Sequence, residues 1–157
     1  TKLITIILMF IGASPASTGG GVKTTTIVVL LAAVASVIHN DDDAILLKHR
    51  LDRSTVYRAL SIVFLAVLTI FVTTGIITGT NSSTDTINAL FEATSAFGTV
   101  GLSTGVTPTL TETAKAAVIC TMFIGRVGPV SLSLAFTLRK GRSSNSSVLP
   151  EGRIVVG

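Results

Sequence analysis

Long apolar stretches, interrupted by short polar or glycine-rich segments, run along the whole chain. Residues 59–84 carry no charge over 26 positions. As an α-helix such a run exceeds the roughly 30 Å of hydrocarbon in a bilayer, because each residue adds about 1.5 Å. The pattern predicts one membrane-spanning helix over residues 57–78 and another over residues 112–138.

The stretch between these two predicted spans is too short and too irregular to cross a bilayer. Residues 86–96 are predicted to form a short helix that is apolar on one face and capped by Thr84 or Asp85. Residues 97–105 follow, rich in glycine, and are predicted to be extended. Irregular backbone at membrane depth is tolerated only where protein buries it or where it lines a water-filled cavity. The pattern is therefore typical of a re-entrant pore loop.

Near the N-terminus, a third apolar run is broken at residues 12–26, whose sequence is GASPASTGGGVKTTT. Each glycine costs a helix about 1 kcal/mol against alanine, and proline removes a backbone donor. A helix is thus predicted to stop here and to resume near Thr24. A phosphate-binding loop would need Gly-Lys where Val22 precedes Lys23, so nucleotide binding is not expected. Non-helical backbone within a membrane helix indicates an ion path, with a simple interfacial loop as the alternative.

An internal repeat links the first and last apolar runs. Lys2 and the MFIG sequence at residues 9–12 recur as Lys115 and MFIG at residues 122–125, each displaced by 113 positions. Each copy is interpreted as the second helix of a helix–pore-loop–helix unit. The predicted fold is an all-α membrane protein with potassium-channel-like repeats: one complete repeat follows the last, broken helix of the preceding repeat. The chain is accordingly expected to lack upstream repeats.

Composition and charge agree with a membrane protein. Only 13% of the residues are charged and 48% are hydrophobic, whereas a soluble domain is about a quarter charged. Basic residues gather in residues 40–58, around the loop over residues 39–54, and from Arg139 into the tail over residues 140–157, and residues 80–115 are mainly acidic. Since basic loops stay inside, the loop and the tail are predicted to be cytoplasmic. This placement also argues against a nucleic-acid partner. The spans hold no paired carboxylates, histidine or GxSxG element, so no enzyme is predicted.

The predicted selectivity filter is the segment Phe97, Gly98, Thr99, Val100 and Gly101. Thr-Val-Gly matches the core of the potassium-channel filter, in which backbone carbonyls replace the hydration shell of the ion. Glycine is needed there because it reaches dihedral angles that a Cβ atom forbids. K⁺ is therefore expected on the carbonyls of Thr99, Val100 and Gly101. An ordinary extracellular turn is the alternative.

Arg126 is the one charged residue within residues 116–138. An ionisable side chain in mid-membrane costs a few kcal/mol or more and rarely faces lipid. In a cation pore it would act as an electrostatic barrier below the filter, and an ion pair, for instance with Glu92, is the alternative. Cys120 is the only cysteine, which excludes a disulfide framework and a cysteine-based metal site.

Three long motifs resemble one known family: FIGASPASTGGGVKTTT, FEATSAFGTVGLSTG and MFIGRVGP. They are similar to the C-terminal part of the KtrB-type subunits of the Ktr/Trk/HKT superfamily of potassium transporters. The resemblance covers nearly the whole chain and implies four helix–pore-loop–helix repeats around a single pore. Residues 1–38 would be the broken second helix of the third repeat, residues 55–139 the fourth repeat, with Gly101 as its filter glycine.

The resemblance also implies a gate, partners and a location. Arg126 would be the pore-facing arginine, and an intramembrane loop of the third repeat would be the gate, formed by Ala13, Ser14, Pro15, Ala16, Ser17, Thr18, Gly19, Gly20, Gly21 and Val22. Such subunits form homodimers bound to a cytosolic, nucleotide-binding regulatory ring of the KtrA type. They lie in the lipid bilayer of the plasma membrane as multi-pass proteins, here with a cytoplasmic C-terminus.

The predicted function is the pore-forming subunit of a potassium uptake channel or transporter, either passive or sodium-assisted. K⁺, with or without Na⁺, is the transported ion, and no cofactor is expected. The alternative is a secondary cation transporter with broken helices, which also uses glycine-interrupted segments. Such a transporter would place a buried Asp or Glu in its spans, and none occurs in residues 3–38 or 118–138.

Overall fold

The computed structural model describes residues 2–14, 19–39, 45–46 and 49–128. Within these ranges the regular secondary structure is almost entirely helical. A 3₁₀ turn at Thr107–Thr109 and a two-residue antiparallel ladder, β1 (Ile45–Leu46) with β2 (His49–Arg50), are the exceptions. The helices are α1 (Lys2–Phe10), α2 (Thr24–Ile38), α3 (Arg53–Thr80), α4 (Thr86–Gly98) and α5 (Glu112–Val127). The all-α prediction is confirmed, and the ladder within the loop over residues 39–54 was not predicted.

Helix α3 is the one helix in the described ranges that is both long and apolar enough to cross a membrane. It contains 28 residues and so extends the predicted span over residues 57–78 at both ends. Asp52 precedes it, and a hydrogen bond from the Ser54 hydroxyl holds the pKa of that carboxyl below its ordinary value. Hydroxyls within α3 donate to carbonyls one turn earlier, as those of Thr69, Thr73, Thr74, Thr78 and Thr80 do. These polar side chains are thus satisfied inside the helix itself.

Helix α4 is the centre of the packing. It contacts α1, α3 and α5, and every residue from Phe91 to Gly98 is buried. One apolar cluster joins it to α3 and α5 through Ile77, Ala89, Ala96, Leu110, Ala114 and Val118. A second cluster contains Val22, Ala66, Ile70, Ala93 and Phe97. The short helix predicted over residues 86–96 is therefore confirmed as a core element. Asp85 holds the N-cap position, but its side chain makes no capping hydrogen bond.

The predicted break near the N-terminus is confirmed between α1 and α2. Ile11 and Val22 form an isolated parallel bridge. The amide of Gly12 donates to the Val22 carbonyl over 2.7 Å, and the amide of Val22 donates to the Phe10 carbonyl over 3.3 Å. These bonds bring the two ends of the intervening loop together, so α2 resumes directly beside the end of α1. Residues 15–18 of the loop lie outside the described ranges.

Helix α5 begins after Thr111, whose hydroxyl accepts a hydrogen bond from the Ala114 amide over 3.4 Å. The structure describes this helix as far as Val127, so its predicted continuation through residues 129–138 lies outside the described ranges. The tail over residues 140–157 lies outside them as well.

Candidate functional site

The C-terminus of α4 differs in one respect from the prediction for residues 97–101. Phe97 and Gly98 are the last two residues of the helix, and the backbone leaves the helix at Thr99. The amide of Thr99 donates to the Ala96 carbonyl over 3.1 Å, and that of Val100 donates to the Ser95 carbonyl over 3.0 Å. This pair of bonds is the Schellman motif that ends many helices. The helix therefore ends at Gly98, and the irregular segment begins at Thr99, two residues later than predicted.

Thr99 has an unusual backbone conformation for its residue type. Its φ of 53° and ψ of 35° lie in the left-handed region, and it is the one non-glycine residue of the described ranges with a positive φ. Glycine is usual at this position of the motif, and a β-branched residue there is a genuine outlier. Such a conformation costs about 1–3 kcal/mol and persists only where the surroundings determine it. The contacts of the Thr99 side chain therefore matter.

The interrupted segment between α1 and α2 supplies those contacts. The amide of Gly20 donates a hydrogen bond to Oγ1 of Thr99 over 2.9 Å, across 79 positions of sequence. Gly20 is buried, and a Cβ atom added there would lie 2.8 Å from both Cγ2 and Oγ1 of Thr99. The sequence pattern predicted the two segments separately, and the structure brings them into direct contact.

A cavity of about 360 Å³ lies where these segments meet. Its walls come from the end of α1, from the interrupted segment and from the end of α4. The lining residues are Leu8, Met9, Ile11, Gly12, Ala13, Gly19, Gly20, Gly98, Thr99 and Val100. Non-helical backbone from both predicted elements thus borders one cavity.

Glycine allows the backbones around this site to approach closely. A Cβ atom on Gly125 of α5 would overlap the Phe97 carbonyl oxygen, and one on Gly98 would lie 2.7 Å from the Met9 carbonyl oxygen. The end of α4 is therefore held between α1 and α5 by backbone contact on both sides. The MFIG repeat could have indicated that Gly125 is needed for close packing, because it recurs as Gly12 in the first copy. Gly12 has no room for a side chain either.

Beyond Val100 the chain turns through two more glycines with positive φ. Gly101 has a φ of 82° and Gly105 a φ of 88°, and a Cβ atom on either would meet no heavy atom within 4 Å. Glycine is required at these two positions by the backbone conformation, not by lack of space. Val100 and Leu102 are 45% and 50% exposed, so the segment borders open space in the described part of the molecule.

Arg126 lies in the last turn of α5 and is exposed in the described part of the chain. It makes no hydrogen bond or ion pair with a described residue. The alternative partner, Glu92, is buried and instead accepts hydrogen bonds from Ser103, Thr104 and Thr107. Sequence reasoning missed this arrangement of Glu92.

Within the interrupted segment, Nζ of Lys23 donates to the Gly19 carbonyl over 2.6 Å. Gly21 has a φ of 81°, which a side chain would strain. Of the predicted gating residues, Ala13, Ser14, Gly19, Gly20, Gly21 and Val22 are described, and Pro15, Ala16, Ser17 and Thr18 lie outside the described ranges.

Comparison with known proteins identifies the family. The sequence profile of the TrkH family, whose members are cation transport proteins, matches residues 1–146. The chain belongs to the TrkH family of cation transport proteins. The resemblance to KtrB-type subunits drawn from the three motifs is thereby confirmed, and a membrane location follows from the TrkH family.

Three relatives of this TrkH family chain are named as potassium or potassium/sodium uptake proteins. The chain is 35% identical over 157 residues to the Ktr system potassium uptake protein B of Bacillus subtilis (strain 168), covering 100% of the chain and 34% of that protein. It is 36% identical over 160 residues to the potassium/sodium uptake protein NtpJ of Enterococcus hirae, covering 99% and 35%. With the Ktr system potassium uptake protein B of Vibrio alginolyticus it shares 38% over 133 residues, covering 83% and 29%. The chain thus spans about a third of the length of these relatives.

Proposed function

We propose that the chain forms part of the ion pore of a potassium uptake system, in which residues 97–101 select the ion and residues 13–22 gate it. The observation that carries the proposal is the contact between the two segments. The Gly20 amide bonds to the Thr99 hydroxyl, and backbone from both segments lines one cavity. Such proximity is expected of a gate that lies directly behind a filter on one pathway. Relatives named for potassium or potassium/sodium uptake support the choice of ion.

In this proposal the carbonyls of Thr99, Val100 and Gly101 coordinate K⁺, which is transported alone or with Na⁺ as a co-ion or coupling ion. Backbone carbonyls can replace the hydration shell of an alkali ion without any catalytic side chain. Phe97 and Gly98 anchor the segment at the end of α4. Arg126 follows Gly125, which packs against the Phe97 carbonyl, so the backbone of Arg126 lies near the same end of the site. In this proposal its guanidinium acts as the electrostatic barrier.

The proposal extends to the assembly around this chain. Residues 55–139 are a helix–pore-loop–helix repeat, residues 1–38 the broken second helix of the preceding repeat, and the other repeats complete the pore. The subunit forms a homodimer in the plasma membrane and binds a cytosolic, nucleotide-binding regulatory ring. Two related proteins carry names of Ktr system components, which supports a multi-component system.

The filter assignment is tested by Gly101→Ser in the full-length protein. A serine at a φ of 82° is strained although space is free around it, so the carbonyls beside it are expected to turn away from the ion. Discrimination of K⁺ over Na⁺, measured as Na⁺ competition against ⁸⁶Rb⁺ uptake, is expected to be lost. Gly79→Ser is the control, since Gly79 lies in helical backbone with open space around it. Unchanged discrimination in Gly101→Ser would defeat the filter assignment.

The gate assignment is tested by comparing Thr99→Val with Thr99→Ser. Valine removes the acceptor of the Gly20 amide, whereas serine keeps it. One hydrogen bond is worth about 1 kcal/mol, which corresponds to a change of about fivefold in the balance between closed and open loop. We expect ⁸⁶Rb⁺ flux to rise by about this factor in Thr99→Val and to stay near wild type in Thr99→Ser. Equal flux in the two variants would contradict the gate.

A further inference from the structure

Glu92 is a buried carboxylate on α4 with an unusual set of partners. Its side chain belongs to the helix that precedes the filter segment, and the residue is only 6% exposed. Oε1 accepts hydrogen bonds from the Ser103 hydroxyl over 2.5 Å, from the Thr104 amide over 2.9 Å and from the Thr104 hydroxyl over 3.3 Å. Oε2 accepts one from the Thr107 hydroxyl over 2.8 Å. A carboxylate offers about four acceptor sites, and all four hydrogen bonds to Glu92 come from one loop.

This loop follows the filter segment immediately. The Val100 amide donates to the Ser95 carbonyl, and the Ser103 hydroxyl donates to Glu92. Only Gly101 and Leu102 lie between these two attached residues. Both ends of this short segment are therefore attached to the same helix. Gly101 meets no heavy atom around its Cβ direction, so packing does not determine its conformation. The two attachments do.

We infer that Glu92 is a positioning residue for ion selection, holding the loop after the filter so that the backbone of Gly101 keeps its orientation. The inference rests on the proposed function of residues 97–101. All four hydrogen-bond donors to Glu92 are uncharged, and no described cation pairs with it. Its partners lie 11 to 15 residues further along the chain, which makes the carboxylate the link between α4 and the irregular backbone.

The double variant Ser103→Ala/Thr107→Val tests this role while leaving the Glu92 charge in place. It removes two of the three hydroxyl donors to Glu92. It is expected to lower the K⁺/Na⁺ permeability ratio of the full-length protein in liposomes by about 25-fold, as two lost hydrogen bonds of about 1 kcal/mol each would. Glu92→Ala is expected to do the same, and Glu92→Gln, whose amide oxygen still accepts, to lose less. The ratio does not depend on how much protein folds or inserts. The matched control is Ser82→Ala/Thr113→Val, which changes two exposed hydroxyls that do not contact Glu92.

A selectivity effect of charge alone would give the opposite pattern. If Glu92→Gln lost selectivity as fully as Glu92→Ala while the double variant kept the wild-type ratio, positioning by Glu92 would be overturned. Amide hydrogen exchange of residues 99–107 provides a readout that does not depend on transport, because the Thr104 amide is one of the donors. Exchange is expected to accelerate about tenfold in Glu92→Ala. Wild-type protein without K⁺ selectivity would refute the proposed function, whereas unchanged exchange in Glu92→Ala would refute the anchoring itself.

Discussion

At the scale of single residues, glycine serves two different needs in the candidate site. Gly20, Gly98 and Gly125 lie where another backbone or side chain occupies the space that a Cβ atom would need. Gly101 and Gly105 have free space but adopt a positive φ. Substitution at the first group is therefore expected to act through packing, and at the second group through backbone conformation.

Gly125→Ala is expected to destabilise the folded protein by about 3 kcal/mol, because the new methyl group would overlap the Phe97 carbonyl and backbone cannot move aside as a side chain can. Gly75→Ala provides the matched control on α3. Its Cβ direction is empty, and alanine in a helix is favoured by up to about 1 kcal/mol over glycine. Thermal unfolding of the purified full-length variants in detergent measures both changes. Equal midpoints for the two variants would show that α5 does not pack against α4 in this way.

At the scale of elements, Asn81 connects the end of α3 to the start of α5. Asn81 is only 8% exposed. The side-chain amide donates to the Thr109 carbonyl over 2.9 Å, and its oxygen accepts from the Thr111 amide over 3.1 Å. Thr111 is also the N-cap of α5. One side chain therefore satisfies backbone groups that the irregular turn before α5 would leave without partners.

Replacing Asn81 by alanine is expected to cost about 2 kcal/mol, since the Thr109 carbonyl and the Thr111 amide lose their partner together. Asn81→Asp keeps an acceptor for the Thr111 amide but loses the donor to Thr109, so a smaller loss is expected. Ser82→Ala, at the exposed neighbouring position, is the control. Thermal unfolding in detergent ranks the three variants. An Asn81→Ala protein as stable as Ser82→Ala would contradict the link between α3 and α5.

The sequence predicted the ends of the described helices to within a few residues, because apolar runs and glycine or proline breaks act locally. The end of α4 was not predicted to the residue. Its last two residues depend on the Schellman bonds at Thr99, whose strained conformation is held from Gly20, 79 positions away. The partners of Glu92 were missed for a similar reason, since they lie in irregular backbone that no periodicity describes.

At the scale of the whole molecule, the helices expose many large apolar side chains in the described part of the chain. On α3 alone, Leu60, Phe64, Leu68 and Phe71 are between 49% and 68% exposed. In water such a surface would be costly, at about 25 cal/mol for each Å² of apolar area. In a bilayer, lipid or further transmembrane helices cover it.

The charges at its two ends predict how α3 is oriented in the membrane. Arg53 and Arg58 lie at its start, whereas Asp85 follows its end, and basic segments remain on the cytoplasmic side. Two single-cysteine variants, Ser54→Cys and Ser83→Cys, each place one thiol at an exposed position beside one end of α3. Both are made in full-length protein that carries Cys120→Ser and has no other cysteine. In intact cells a membrane-impermeant maleimide is expected to label the cysteine at position 83, and to label the one at position 54 only after permeabilisation. Reversed labelling would invert α3 and place the filter segment at the cytoplasmic face. Labelling of both cysteines in intact cells would mean that α3 does not separate two compartments.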